Sequence, residues 1–67
     1  MYNSEMIESD FEYLVRKIKL YKEGSPYVTY KSIEKKIDDK KGFVMKASER
    51  RILDEELNRV ELEKQSI

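Results

Sequence analysis

The strongest constraint on the fold is a regular spacing of apolar side chains near the start of the chain. Successive members of the series are four, three, four and three positions apart: Ile7, Phe11, Leu14, Ile18 and Tyr21. This spacing places all of them on one stripe of an α-helix, in the pattern of a packing seam. The sequence therefore predicts a first helix over about 4–23. Its seam would contact either the rest of the chain or a helix of another molecule.

Charge order and turn residues mark the two ends of this helix. Acidic residues come first and basic residues last, which complements the helix dipole. Gly24-Ser25-Pro26 ends the helix, because proline biases the residue before it away from the helical region. Ser9 and Glu12 match a capping box, which would delay the start to Asp10.

Two further helices are expected, over about 29–39 and 47–64. Thr29 is a favourable N-cap for the second helix, and Gly42 is a favourable C-cap glycine. Ser48 is the expected N-cap of the third. The segment 43–46 between them fits a short strand or the beginning of the third helix. The predicted fold is a single all-α domain of three helices, long, short and long, either arranged like a helix-turn-helix or paired as a helical homodimer.

The small size of the chain makes a binding partner expected. A chain of 67 residues buries only about 60% of the surface that its unfolded form exposes. The usual covalent and metal staples of small domains need cysteine or histidine, and this sequence contains neither. A partner surface, or a second copy of the chain, would supply the missing stabilisation.

The residue types also exclude several classes of function. Nucleophilic catalysis needs an activated nucleophile beside a base. The chain has serines and a threonine but no histidine or cysteine, and nothing marks out a lysine or a carboxylate as the base. The two glycines stand alone, so no glycine-rich phosphate loop is formed. We expect a protein that is not an enzyme, with no cofactor, no metal ion and no small-molecule substrate. The absence of a long apolar run predicts no membrane association and a cytoplasmic location.

The net charge of zero conceals an uneven distribution along the chain. Residues 25–51 hold eight basic and four acidic residues, whereas residues 52–67 hold two basic and five acidic residues. A basic middle is therefore followed by an acidic third helix.

Two hypotheses of function follow from these features. In the first, the chain is a small regulatory or inhibitory protein, of the kind common among phages and plasmids, that binds a larger protein partner. The small core, the regular seam of the first helix and the candidate exposed tyrosines Tyr2, Tyr13 and Tyr27 favour it. In the second, residues 31–51 form a DNA-binding helix-turn-helix of a transcriptional regulator. The basic residues that would contact DNA, or an acidic partner, are Lys40, Lys41, Lys46, Arg50 and Arg51. Glu34 departs from the helix-turn-helix pattern, which favours a small residue there.

Overall fold

Three α-helices make up the computed structural model, which describes residues 8–66. They are α1 (Asp10–Lys22), α2 (Tyr30–Asp38) and α3 (Ala47–Gln65). Residues 8–66 contain no β-strand, so the prediction of an all-α three-helix domain is confirmed. The predicted seam residue Ile7 lies outside the described residues.

The first two helices begin at reciprocal capping boxes. The Ser9 hydroxyl accepts a hydrogen bond from the backbone N–H of Glu12 at 3.2 Å, and the Glu12 carboxylate accepts from the N–H of Ser9 at 3.3 Å. Thr29 and Ser32 form the same pair of bonds at 3.2 and 3.3 Å. The expected range 4–23 therefore begins too early, because Ser9 is an extended N-cap and α1 starts at Asp10.

A Schellman turn ends α1. The N–H of Gly24 donates to the carbonyl of Tyr21, and the N–H of Ser25 donates to the carbonyl of Leu20, both at 3.1 Å. Gly24 has a φ of +92°, in the left-handed region that glycine enters without steric cost. The chain can therefore reverse direction immediately after the helix.

The start of α3 differs from the expectation. Lys46 is the N-cap and its backbone N–H donates to the Glu49 carboxylate at 2.9 Å. Ser48 lies inside the helix and does not cap it. Glu49 satisfies an N–H at this terminus, and its negative charge complements the helix dipole. The segment 43–46 is neither strand nor helix, so neither a short strand nor an early start of the third helix is found there.

The core is a single cluster of apolar residues contributed by all three helices and one loop. Its members are all buried: Leu14, Ile18, Val28, Ile33, Ile37, Leu53, Leu57 and Val60. Phe11 and Tyr21 pack against this cluster from α1. The described part of the predicted seam therefore contacts the chain's own core.

Contacts at both ends of the bundle give the directions of the helices. Tyr13 near the start of α1 stacks on Phe43, just before α3 begins. At the other end, the Lys64 ammonium donates to the carbonyl of Tyr21 at 3.0 Å. α1 and α3 thus run in the same direction and pack directly on each other, and α2 runs in the opposite direction and packs against both. One edge of α2 therefore faces α1 and the other faces α3.

Candidate interaction surfaces

An aromatic pair joins α1 to the loop after α2. The rings of Tyr13 and Phe43 are stacked, with centroids 6.0 Å apart and an interplanar angle of 24°. Two cations of α1 approach the Tyr13 ring: the Arg16 Cζ lies 5.4 Å and the Lys17 Nζ 5.3 Å from its centroid. Both distances are within the range of a cation–π interaction.

Basic side chains of α2 border the same aromatic pair. A surface depression beside Phe43 is lined by Ser32, Lys35, Lys36 and Asp39. We call this surface the basic aromatic face and define it by six residues: Tyr13, Arg16, Lys17, Lys35, Lys36 and Phe43. It draws its cations from two helices and its rings from α1 and the loop.

The loop that carries Phe43 is held by two carboxylates. Asp39 accepts hydrogen bonds from the backbone N–H groups of Lys41 and Gly42, at 3.1 and 2.8 Å. Asp10 accepts from the N–H of Val44 at 2.6 Å. A Cβ at Gly42 would lie only 2.5 Å from Asp39 Oδ2, so a larger residue here would displace the carboxylate that holds the loop. These bonds fix the position of Phe43 from both sides.

The opposite edge of α2 is acidic. The Tyr21 hydroxyl donates to the Glu61 carboxylate, and this bond, with burial, raises the pKa of Tyr21 to about 12. The pKa of Tyr30 is also raised, mainly by burial and then by the nearby carboxylates of Glu34, Glu61 and Asp54. We call this region, with Tyr21, Tyr30 and those three carboxylates, the acidic junction.

The arginines are all engaged within the chain. Arg16 forms a two-bond pair with Glu8 at 2.9 and 3.0 Å, which lowers the pKa of that carboxyl. Arg59 contacts Glu56 at 2.6 Å and Glu63 at 3.4 Å. Arg50 and Arg51 have partners too, so the cations that remain for a ligand are mostly lysines.

Arg50 differs most from its predicted role. Its guanidinium donates to the backbone carbonyls of Ile37, near the end of α2, and of Phe43. Carbonyl groups in the last turn of a helix lack an intrahelical partner, so a cation there satisfies an unpaired acceptor and complements the helix dipole. Arg50 is therefore a structural residue that ties the end of α2 and the Phe43 loop to α3.

The other predicted contact residues lie on the surface. Lys40, Lys41 and Lys46 are exposed. Arg51 is also exposed and forms an ion pair with Glu55 at 3.5 Å. Lys40, Arg50 and Arg51 line one depression between α2 and α3, which also contains the carboxylates of Asp38 and Asp54. The structure thus brings three of the five predicted contact residues together, but carboxylates lie beside them.

Sequence reasoning missed the contribution of α1 to the basic aromatic face. Tyr13, Arg16 and Lys17 lie off the apolar seam that defined α1. Tyr13 was expected at an interface only as an exposed tyrosine, and Arg16 and Lys17 were not selected. Tyr13 and Lys17 are four positions apart, which places them on the same side of a helix. The sequence signal for this surface was an aromatic residue outside the seam, one helical turn before a lysine.

Other classes of site are not found in the described part of the chain. None of its helices has the length and apolar character needed to cross a membrane. Residues 8–66 also contain no group of three or more His, Cys, Asp or Glu side chains that could hold a metal ion. No protein-family model matches the chain, and neither curated proteins nor solved structures give a significant match.

Proposed function

We propose that this chain is a small, non-enzymatic regulatory or inhibitory protein of the cytoplasm that acts by binding a larger protein partner. Phage and plasmid regulators are the class that its size and composition resemble. The observation that carries the proposal is the sorting of charge around α2. Lysines and stacked rings lie at the edge towards α1, and carboxylates surround Tyr30 at the edge towards α3.

The composition of the basic aromatic face favours a protein partner. Aromatic residues are enriched at protein interfaces, where large rigid rings supply contact area. The lysines at its border provide charge complementarity, which steers the encounter with an acidic surface. Together these features supply both parts of a protein interface, an apolar centre and a charged rim.

The small size of the core supports a role in binding. Eight side chains are buried in the core among residues 8–66, and a domain of this size rarely gains more than about 3–5 kcal/mol from its core. A ligand that binds only the folded form stabilises it by mass action. A partner would therefore raise both the stability and the lifetime of the chain.

The alternative is a DNA-binding helix-turn-helix regulator that uses residues 31–51. The exposed Lys40, Lys41 and Lys46 favour it, since lysines in a loop commonly contact phosphates. Three features count against it. Arg50 is bound to backbone carbonyls, α3 carries six acidic and four basic residues, and residues 39–46 are longer than the usual three- or four-residue turn.

A charge-reversal experiment separates the hypotheses. The test variant carries Lys35→Glu and Lys36→Glu, and the control carries Lys19→Glu and Lys22→Glu. Both pairs lie in the last turn of a helix, so the change in net charge and the loss of dipole complementarity are matched. Each tagged protein is used to capture partners from host lysate, with and without nuclease.

The proposal expects a nuclease-resistant protein that the wild type and the control retain and the test variant loses. Equal capture by both variants would contradict the placement of the site. Capture that disappears after nuclease treatment would support the DNA-binding alternative instead.

A further inference from the structure

We propose that the partner presents an acidic segment containing an aromatic side chain, and that this segment lies across the basic aromatic face. Its carboxylates would contact Lys17, Lys35 and Lys36, and its ring would enter the depression beside Phe43. This inference rests on the proposed function and specifies the chemistry of the partner.

Charge complementarity gives the first argument for an acidic ligand. Every ion pair found among residues 8–66 involves an arginine, so Lys17, Lys35 and Lys36 hold no such pair within that range. Asp10 and Asp39 face the same loop but accept hydrogen bonds from backbone N–H groups. Glu8 also borders this face, where it pairs with Arg16 and lies near Lys17. Lys35 and Lys36 hold no ion pair among residues 8–66, and a carboxylate ligand would complement them.

The surroundings of Phe43 give the second argument. The depression is lined by its ring and by Lys35 and Lys36, whose alkyl stems are apolar while their ammonium groups reach water. Tyr13 stacks on this ring in the geometry that aromatic pairs favour, and Phe43 also packs against the core. An incoming aromatic side chain in the depression would pack beside this aromatic pair, with its neighbouring carboxylates placed near the ammonium groups.

A second copy of the chain fits this face less well. The exposed carboxylates of α3 would be its acidic ligands, but Glu55 and Glu63 are paired with Arg51 and Arg59, and Asp54 lies beside Arg50 and Arg51 in the depression between α2 and α3. Binding would require breaking these pairs. A different protein whose acidic residues hold no ion pairs would bind without breaking any. This favours a different protein as the partner.

The test uses the isotopically labelled full chain and three probes. They are a short oligoglutamate peptide with a central phenylalanine, the same peptide with alanine in its place, and a thymidine oligonucleotide of equal charge. Binding is measured by fluorescence anisotropy and located by amide chemical shifts. We expect the phenylalanine peptide to bind about tenfold more tightly than the alanine peptide, as aromatic anchors do at interfaces.

The affected amides should surround Lys35, Lys36 and Phe43. The variant with Lys35→Glu and Lys36→Glu should lose peptide binding, whereas the variant with Lys19→Glu and Lys22→Glu should retain it. The two peptides are compared on the wild type, so the test of the aromatic anchor does not depend on the folding of any variant.

Three outcomes would overturn the inference. They are equal affinity for the two peptides, shifts centred on another surface, or tighter binding of the oligonucleotide. The proposed function would survive such a result if the lysate still yielded a protein whose capture depends on Lys35 and Lys36. It would fall with the inference only if that capture were also absent.

Discussion

The two edges of α2 place aromatic residues in different electrostatic surroundings. On the side of α1, the Tyr13 ring has the cations of Arg16 and Lys17 over it. On the side of α3, the Tyr21 hydroxyl donates to Glu61, and further carboxylates surround Tyr30. Tyr13 therefore contributes its ring, whereas Tyr21 contributes both its hydroxyl and its ring, whose centroid lies 4.8 Å from the Lys64 ammonium.

This difference shows which edge is used within the fold and which is available to a ligand. At the acidic junction a hydroxyl and a carboxylate satisfy each other across the α1–α3 contact. At the basic aromatic face the two rings stack on each other, whereas the lysine ammonium groups are solvated. Removing charge should therefore affect stability at the first edge and binding at the second.

The largest effect is expected from a substitution in the core, against which α2 packs between its two edges. Leu57→Ala deletes part of a side chain that is 1% exposed, and such changes cost about 2–5 kcal/mol. This is comparable to the whole stability of a domain this small, so circular dichroism should show a largely unfolded chain. Leu62→Ala, on the exposed side of α3, should change the free energy of unfolding by about 0.5 kcal/mol or less. A native melting curve for Leu57→Ala would refute this description of the core.

The next largest effect concerns Arg50, which ties the end of α2 and the Phe43 loop to α3. Arg50→Ala leaves the carbonyls of Ile37 and Phe43 without their donor, and hydrogen bonds to a charged group contribute about 1.5–3 kcal/mol each. We expect a lower denaturation midpoint and altered amide shifts around Phe43. Arg51→Ala removes only an exposed pair and should be within about 0.5 kcal/mol of wild type. Similar losses for both variants would mean that Arg50 has no special structural role.

A smaller effect concerns the acidic junction and is measured through the pH dependence of the free energy of unfolding. Because the folded-state pKa of Tyr21 is about 12 and the ordinary value is 10.0, the unfolded chain releases this proton first. The free energy of unfolding should therefore be unaffected below pH 10 and should fall as pH rises from about 10 towards 12. Tyr21→Phe should cost about 1 kcal/mol at neutral pH and should weaken the alkaline loss. An unchanged alkaline dependence in chemical denaturation would exclude Tyr21 as its source.

The smallest effect on stability is expected at the basic aromatic face. Replacing Lys35 and Lys36 with glutamine removes two charges from the last turn of α2, where they complement the helix dipole. At physiological salt we expect a loss of about 0.5 kcal/mol, measured by urea denaturation. A much larger loss would show that these lysines stabilise the fold, and would weaken the case for a binding role.

The helices were predictable because their signals are local. Apolar spacing identified the buried face of α1, and Ser9 with Glu12 identified the correct first turn. The broader estimate from residue 4 failed because periodicity continues past a cap and does not itself show where a helix begins. Ser48 was chosen as the third N-cap from residue type, whereas Glu49 satisfies that terminus through its carboxylate.

The candidate site was only partly predictable because it is formed by tertiary contacts. Lys40, Lys41 and Lys46 were selected from their charge, and they are exposed. Arg50 has the same charge, but its place opposite the end of α2 gives it carbonyl partners that are far from it in sequence. The pairing of Tyr13 with Phe43 likewise depends on how α1 meets the loop after α2. No local pattern contains that information.

The reciprocal hydrogen bonds at Ser9 and Thr29 have a kinetic consequence. Each joins residues only three positions apart, so the first turns of α1 and α2 can form before distant segments meet. Helical domains dominated by such local contacts fold in microseconds to milliseconds. A partner at about 1 μM, binding at a typical 10⁵–10⁷ M⁻¹s⁻¹, arrives roughly 0.1–10 times per second. Chains that unfold between encounters would therefore refold before the next one, and the rate of association would be set by diffusion and docking.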